Sequence, residues 1–170
     1  MNFPQKFRVI IITLSDRAYS GEYADLSGPR ISQMLTDFFK SVEWEFEIDN
    51  VLIPDDAVKL SDLLISSFVA YNIIITTGGT GIGPRDFTVD TVKPLIIKEI
   101  PGIMEFIRVK YGKDNPGALL SRGVAGIAGK SLIYTLPGSL KAVEEYMTEI
   151  LRTLKHTIQM QYGIDTHPTR

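Results

Sequence analysis

Four apolar runs along the chain predict β-strands. Near-continuous runs of β-branched and apolar residues cover residues 7–14, 72–77 and 131–136 and contain almost no charged side chains. Such near-continuous apolar runs are typical of parallel-sheet strands that are covered on both faces. The run 45–53 alternates apolar with acidic residues, which predicts a strand with one exposed face.

Apolar residues at helical spacing predict helices between and after these strands. The segments 29–40, 55–70 and 139–161 each place a row of apolar side chains on one face. A further helix is expected near Thr88, which would be its N-cap, and Pro94 would end or kink that helix. The segment 102–130 contains several glycines and predicts turns or a short β excursion.

Strands that alternate with helices predict an α/β fold with a mainly parallel sheet, and we expect a single domain covering residues 1–170. Ligands of such sheets bind beyond the C-terminal ends of the strands. The loops that follow the predicted strands are rich in Gly, Pro, Asp or Ser, and they cover residues 15–29, 53–56, 78–86 and 136–139. The sequence therefore places the candidate site where these loops meet.

Composition narrows the possible partners and compartments. The formal net charge of −2 gives no electrostatic basis for binding nucleic acid or an anionic membrane. The absence of cysteine excludes disulfides, a thiol nucleophile and thiolate metal sites. The apolar run 9–14 is too short for a signal-peptide core or a membrane span, so we expect a cytoplasmic protein.

The loop after the third predicted strand is dense in glycine, with Gly78, Gly79 and Gly81 around Thr80. Residues without Cβ let backbone N–H groups approach an anion closely, and the threonine adds a hydroxyl donor. The loop lacks the lysine of a Walker A motif, and Pro84 stands at the sixth position of a dinucleotide fingerprint. The alternative to a phosphate site is a tight turn between strand and helix.

Two aspartates, Asp55 and Asp86, each follow a strand at the same predicted edge of the sheet. Two carboxylates beside a phosphate would repel it unless a cation such as Mg²⁺ lies between them, so the pair suggests a metal–nucleotide site. In the alternative interpretations, Asp55 or Asp56 caps the next helix. Asp86 would then be a turn residue or would pair with Arg85 at the surface.

The remaining polar positions carry weaker signals. Residues 15–17 form either a polar rim for a ligand or an ordinary polar loop. Residues 137–139 form a turn whose serine either faces a ligand or caps the last helix. Arg122 either contacts a phosphate or forms a salt bridge. His156 is expected to be structural, and it lies too far from His167 along the chain to suggest a metal site.

The chain resembles the molybdopterin-binding family in five stretches that occur in the same order. They are SDRAYSGEYADLSGP, IPDD, TTGGTGIGPRDFT, LSRGVAGIAGKSLI and LPGS. The similarity covers roughly residues 7–155, and the string GGTG followed by Arg-Asp and Thr is very specific. The opening SDRAYSGEYAD is similar to the adenylyltransferase branch, which acts in molybdenum cofactor biosynthesis.

The resemblance implies a three-layer α/β sandwich with helices on both faces of the sheet, and commonly a homotrimer. It implies adenylyl transfer from ATP to molybdopterin with Mg²⁺, release of pyrophosphate, and a molybdate-inserting enzyme as downstream partner. By the same resemblance, Asp55 and Asp86 are the catalytic residues that hold the metal. The substrate- and nucleotide-binding residues it implies are Ser15, Asp16, Gly78, Gly79, Thr80, Gly81, Ser121, Pro137, Gly138 and Ser139.

Three other functions stay open at the level of sequence. The chain could be a non-catalytic scaffold of the same fold that binds molybdopterin. It could be a nucleotide-phosphate hydrolase that uses the same loop, with an aspartate orienting water. It could also be a structural subunit whose glycines serve packing alone.

Overall fold

A computed structural model describes residues 2–164 of the chain, with six strands in one sheet. The strands are β1 (Lys6–Leu14), β2 (Glu45–Ile53), β3 (Ile73–Thr77), β4 (Lys98–Glu99), β5 (Ala125–Ala128) and β6 (Ser131–Leu136). Their order is β2-β1-β3-β6-β5-β4, and β2, β1, β3 and β6 run parallel. The pairs β6–β5 and β5–β4 are antiparallel. The predicted mainly parallel sheet is therefore confirmed.

Helices cover both faces of this sheet. They are α1 (Asp16–Tyr19), α2 (Ser27–Ser41), α3 (Ala57–Ala70), α4 (Thr88–Val92), α5 (Pro101–Gly112) and α6 (Leu140–Gln161), with 3-10 turns at Lys93–Leu95 and Pro116–Leu120. Helices α2, α5 and α6 share one buried cluster with the sheet, and α3 and α4 share the other. The α/β class and the three-layer arrangement are thus confirmed.

Strand β1 shows why the interior strands are apolar along their whole length. Successive side chains of a strand point to opposite faces, so Val9 and Ile11 enter one core cluster while Ile10 and Ile12 enter the other. The edge strand β2 keeps alternately exposed positions, as its mixed pattern predicts. Removing such continuous apolar surface from water is the main stabilisation of the three layers.

The prediction of turns or a short β excursion across residues 102–130 is wrong for its first part, where α5 lies. Met104 and Ile107 of this helix are buried. Pro101 occupies the first turn of the helix, where its missing N–H leaves no extra group unsatisfied. The glycines at 102 and 112 stand near the two ends of the helix, so they mark its limits rather than turns. The β excursion exists further on, as β5.

Two local predictions around α4 have different outcomes. Thr88 is the first helical residue and Phe87 is the N-cap, so the prediction of Thr88 as N-cap is wrong by one position. The Thr88 hydroxyl instead donates a hydrogen bond to the carbonyl of Gly78 at 2.8 Å. Pro94 lies in the 3-10 turn after Val92, which ends α4 early, as expected.

The sheet topology fixes where a ligand can bind. The chain leaves β1 for β2 on one side and returns to β3 on the other side of β1. Crevices form at such a change of direction, outside the C-terminal ends of the strands. Within residues 2–164, no helix is both long and apolar enough to cross a membrane. His167 and the tail beyond residue 164 lie outside the described residues.

Candidate functional site

A cavity of about 610 Å³ opens at the C-terminal ends of the parallel strands. The ends of β1 and β3 and the loops after β2 and β6 form its walls. The sequence-predicted residues that line it are Ser15, Asp16, Asp55, Gly78, Gly79, Asp86, Gly138 and Ser139. Residues from four separate loops are thereby brought to one place.

A second cavity of about 430 Å³ lies against the first. It is lined by the remaining predicted residues Thr80, Gly81, Ser121 and Pro137. Gly79, Asp86, Gly138 and Ser139 line both cavities. The predicted site residues therefore all line one or both of two adjoining spaces.

The glycine loop is held in a conformation that other residues would resist. Gly78 and Gly79 have φ angles of 104° and 64°, which favour glycine. A Cβ atom on Gly78 would lie 2.3 Å from the carbonyl oxygen of Leu14, and one on Gly79 would lie 2.5 Å from the Thr88 hydroxyl. Tight turn packing therefore explains these two glycines by itself.

Backbone hydrogen bonds limit what this loop can offer an anion. The N–H of Gly78 donates to the carbonyl of Leu136 at 3.0 Å, so it is already engaged. Thr80 is only 4% exposed, and its hydroxyl contributes little surface to the second cavity. Gly79 lines both cavities and Gly81 lines the second, so they are the better placed donors.

Asp16 and Asp55 are joined by reciprocal hydrogen bonds between the loops after β1 and β2. The N–H of Asp55 donates to Asp16 Oδ1 at 2.8 Å, and the N–H of Asp16 donates to Asp55 Oδ2 at 3.3 Å. Two carboxylates are thus fixed side by side at the mouth of the first cavity. Sequence spacing gives no sign of this link.

The neighbouring carboxylate, Asp56, has a different role. Its backbone is extended, and its side chain accepts hydrogen bonds from the N–H groups of Val58 and Lys59 at 2.9 and 3.0 Å. Asp56 is therefore the N-cap of α3. Of the two adjacent aspartates, Asp55 is the one left to face the cavity.

Arg85 supplies a positive charge to this acidic pair. Its guanidinium donates a hydrogen bond to Asp16 and lies 3.6 Å from Asp55. The hydrogen bond from Arg85 holds the pKa of the Asp16 carboxyl below its usual range, and the N–H of Asp55 adds to this effect. Arg85 thus pairs with these aspartates rather than with Asp86 next to it.

Asp86 lies against the glycine loop. Its carboxylate accepts a hydrogen bond from the N–H of Gly83 at 2.8 Å. A Cβ atom added to Gly81 would lie 2.7 Å from Asp86 Oδ2, so the glycine leaves room for the carboxylate. Asp86 lines both cavities and can reach a group held between them.

Arg122 holds the glycine loop from the side. Its guanidinium donates to the carbonyl oxygens of Gly81 at 2.7 Å and Asp86 at 2.6 Å, and its own N–H donates to the carbonyl of Thr80 at 2.9 Å. It also forms an ion pair with Asp90. Of the two interpretations left open by sequence, the salt bridge is the one observed. The guanidinium acts on the loop rather than on a ligand.

The predicted serines serve the fold as well as the cavities. Ser15 accepts from the N–H of Ala18 at 3.2 Å, and Ser139 accepts from the N–H of Ala142 at 3.3 Å. Both are therefore helix N-caps. Ser121 ends the 3-10 turn at Pro116–Leu120 and lines the second cavity.

Tyr146 lines the second cavity and was missed by the sequence argument. It is 2% exposed, and its hydroxyl has no hydrogen-bond partner among the described residues. Burial raises the pKa of this phenol above its ordinary value of 10.0. Tyr146 lies on the buried face of α6. The only sequence signal for a role in the cavity is its polar hydroxyl at a position whose neighbours on that face are apolar.

The acidic residues of the first cavity can accept a divalent cation. Among residues 2–164, no three His, Cys, Asp or Glu side chains form a complete metal cage. Mg²⁺ in nucleotide sites is usually held by one or two carboxylates together with waters and substrate phosphates. Asp55 and Asp86 offer hard oxygen ligands on one cavity, so they fit a cation that arrives with a phosphate group.

Fold and site together define an α/β protein with a small-molecule cleft at the C-terminal edge of a mainly parallel sheet. The family model described as a probable molybdopterin binding domain matches residues 10–156. The chain belongs to this family.

Three known proteins illustrate the relationship. Molybdopterin adenylyltransferase of Helicobacter pylori strain J99 is 33% identical over 160 residues, which cover 94% of this chain and 90% of that protein. Gephyrin of Dictyostelium discoideum is 36% identical over 91% of this chain, but the match spans only 22% of gephyrin. The solved structure of the molybdopterin biosynthesis enzyme MoaB of Thermus thermophilus is 35% identical. It has a TM-score of 0.81, and the match covers 92% of this chain and 97% of that one.

Proposed function

We propose that this chain, acting as a single domain, transfers the adenylyl group of ATP to the terminal phosphate of molybdopterin and releases pyrophosphate. The observation that carries the proposal is the pair of adjoining cavities that share Gly79, Asp86, Gly138 and Ser139. Two reactants, one in each cavity, would bring their phosphates together at this shared boundary. The Helicobacter relative of nearly equal length bears the name of this activity.

The reaction requires that two anionic groups meet. An oxygen of the terminal phosphate of molybdopterin forms a bond to the α-phosphorus of ATP, and the bond to the pyrophosphate oxygen breaks with its electron pair. The attacking phosphate is already anionic at neutral pH, so no strong general base is needed. The contribution of the protein is therefore positioning and stabilisation of charge.

The residues at and near the boundary have separate tasks in this scheme. Asp86, which lines both cavities, and Asp55, which lines the first, would hold Mg²⁺. Bound Mg²⁺ offsets the negative charge of the phosphate oxygens. Backbone N–H groups of Gly79 and Gly81 donate to those oxygens. Arg122 keeps the loop and the Asp86 backbone in place through its bonds to their carbonyls.

The test is release of pyrophosphate with ATP, Mg²⁺ and molybdopterin. We expect release only when all three are present, and loss of release when the metal is chelated. Asp86→Asn should lower turnover roughly a thousandfold, because a metal-holding carboxylate is lost. Asp56→Asn is the matched control. Asparagine caps helices as well as aspartate does, so turnover should stay within about twofold.

Other outcomes would point to the other functions. Tight binding of molybdopterin without pyrophosphate release would indicate a non-catalytic scaffold. Release of phosphate or pyrophosphate without the pterin would indicate a hydrolase. A melting temperature that no reactant shifts would indicate a structural subunit, because a ligand that binds the folded state raises its stability.

The oligomeric state and the downstream partner are proposed from the family resemblance alone, and the compartment is proposed from the short apolar run near the N-terminus. The protein acts in the cytoplasm as a homotrimer and passes adenylylated molybdopterin to an enzyme that inserts molybdate. Light scattering should give a mass three times the 19.0 kDa of one chain. A mass equal to that of one chain at working concentration would contradict the trimer, but it would not contradict the proposed reaction.

A further inference from the structure

Arg85 occupies the space in front of Asp16 and Asp55, which is where a cation would approach these carboxylates. Its guanidinium is bonded to Asp16 and lies 3.6 Å from Asp55. The Asp55 side chain is 23% exposed and the Arg85 side chain is 65% exposed. The carboxylate that is proposed to hold a metal is therefore covered, on its open side, by a side chain that is itself largely in water.

The two sides of this ion pair differ in how firmly they are held. Asp16 and Asp55 are fixed to each other by two backbone N–H bonds. Arg85 reaches them through a long side chain from the loop between Gly81 and Asp86. An exposed ion pair of this kind contributes little to stability, because water competes for both charges. The arginine can therefore leave at small cost while the carboxylates stay in place.

A guanidinium is also suited to the group that would arrive. Arginine binds phosphate oxygens with two parallel N–H donors, in the same geometry in which it binds carboxylates. Arg85 lines the first cavity together with Asp86, so phosphates held there lie within reach of its side chain. The Arg85 side chain can therefore pair with the two carboxylates before a ligand binds and with the phosphates of the ligand afterwards.

We propose that Arg85 is a displaceable counter-ion, which neutralises Asp16 and Asp55 until Mg²⁺ and the triphosphate bind and then moves to the phosphate oxygens. This inference rests on the proposed function, because it assumes a metal at Asp55. The inference predicts that replacing Arg85 has opposite effects on the affinity for the metal and on the affinity for the nucleotide. Without Arg85, a metal alone should bind more tightly, while the nucleotide should bind more weakly.

The experiment uses Mn²⁺ as the metal probe and the chain of 170 residues. Free Mn²⁺ is measured by electron paramagnetic resonance during titration of wild type and Arg85→Gln. We expect Arg85→Gln to bind Mn²⁺ on the order of fivefold more tightly, since a positive charge a few ångströms from the site is removed. ATP affinity with Mg²⁺ present should fall roughly tenfold, because charge-assisted bonds to phosphate are lost.

Arg17→Gln is the matched control for general loss of charge. Arg17 lines the same cavity, but its guanidinium lies over the ring of Tyr23, 5.1 Å from the centroid. Its Mn²⁺ affinity should stay within about twofold of wild type. Equal tightening in both arginine variants would overturn the inference, because the effect would then come from net charge alone.

Asp55→Asn separates failure of this inference from failure of the metal site. If Asp55→Asn loses Mn²⁺ binding while Arg85→Gln binds Mn²⁺ no better than wild type, the metal site stands and the displaceable counter-ion is refuted. If Asp55→Asn binds Mn²⁺ as wild type does, the metal assignment in the proposed function fails, and the inference fails with it. Melting curves of each variant test whether the substitutions leave the fold intact.

Discussion

Arg122 and Asp90 form a two-point ion pair, with Nη1 to Oδ1 at 2.8 Å and Nη2 to Oδ2 at 2.9 Å. Asp90 lies in the first turn of α4, and the pair fixes the plane of the guanidinium. Because Nε and Nη2 also donate to the loop carbonyls of Gly81 and Asp86, one side chain holds the helix, the glycine loop and the backbone of Asp86.

Replacing Arg122 should therefore damage catalysis more than folding. Arg122→Lys keeps the charge but cannot form the planar set of bonds. We expect a loss of stability of about 1 to 3 kcal/mol and a fall in turnover of about 100-fold, since the loop shifts relative to the phosphates. Denaturant unfolding and the pyrophosphate assay measure the two effects.

Lys6→Gln is the control for loss of an ordinary ion pair. Lys6 pairs with Glu47 at 2.8 Å at the start of β1, at the opposite end of the strand from the cavities. We expect a stability change below about 1 kcal/mol and normal turnover. Turnover of Arg122→Lys equal to that of Lys6→Gln would show that the loop does not depend on the guanidinium.

Glycine substitutions should separate fold from function. Gly81→Ala places a Cβ 2.7 Å from Asp86 Oδ2, and the carboxylate can rotate away. We expect stability within about 1 kcal/mol of wild type and turnover lower by about 10- to 100-fold. Gly78→Ala should instead destabilise the protein by several kcal/mol, because its φ of 104° and the Leu14 carbonyl at 2.3 Å leave no room.

Gly102→Ala is the control for the two loop variants. Nothing lies within 4 Å of the Cβ position of Gly102, and alanine favours a helix over glycine by about 0.8 to 1.0 kcal/mol. Unfolding and turnover are measured for all three variants. Normal turnover in Gly81→Ala would mean that the exact place of the Asp86 carboxylate is unimportant.

A buried carboxylate between α5 and α6 should give acid-dependent stability. Glu149 is 4% exposed and accepts hydrogen bonds from Lys110 at 2.5 Å and Tyr111 at 3.1 Å. Burial raises the pKa of Glu149, but these partners outweigh burial and leave the pKa below its ordinary value of 4.5. The stabilisation is therefore complete above the unfolded-state pKa and is lost as pH falls through the folded-state pKa.

Glu149→Gln tests this sign. At pH 7 it should lower the free energy of unfolding by about 2 kcal/mol, and the difference from wild type should shrink as pH falls below about 4.5. Glu144→Gln on the same helix, from a half-exposed pair with Arg30, should change stability by less than about 1 kcal/mol. A difference for Glu149→Gln that stays constant from pH 7 into the acid range would contradict the assignment.

Removing the unpartnered hydroxyl of Tyr146 should affect one reactant only. Tyr146 lines the second cavity but not the first. Tyr146→Phe should leave stability unchanged or raise it by about 1 kcal/mol. It should weaken binding of the reactant in the second cavity about fivefold to tenfold, with the other reactant within about twofold. Titration calorimetry with ATP and molybdopterin separately would show which reactant is affected.

Tyr134→Phe is the matched control. Its hydroxyl is also buried and has no hydrogen-bond partner among the described residues, but Tyr134 lines neither cavity. Tyr134→Phe should have the same stability as Tyr146→Phe, and it should bind both reactants as wild type does. If Tyr146→Phe binds both reactants as wild type does, its hydroxyl has no part in recognition.

The sequence predicted the parts of this molecule that depend on local pattern. The Ile-rich run at 72–77 could only be buried on both faces, and β3 confirms it. Helix α5 was missed because its glycines stand at helix ends, where local pattern resembles a turn. The choice between Asp55 and Asp56 as cap could not be made in advance, because the two have the same chemistry. Backbone direction after β2 decides between them.

The charged contacts of the site were beyond prediction for a different reason. Arg85 pairs with residues after β1 and β2, and Arg122 pairs with Asp90 across the loop. Each contact joins segments that are distant in sequence and meet only in the folded protein. A single sequence identifies the charges but not their partners.

The position of β6 between β3 and β5 has a consequence for synthesis on the ribosome. When the chain has emerged only as far as Thr77, the Ile-rich edge of β3 pairs with β1 but still lacks its second neighbour. An unpaired apolar edge of this kind invites association with other chains. The nascent protein is thus most vulnerable to aggregation until Ser131–Leu136 emerges. The cleft, whose walls include Gly138, Ser139 and Leu140, is complete only after these residues have emerged as well.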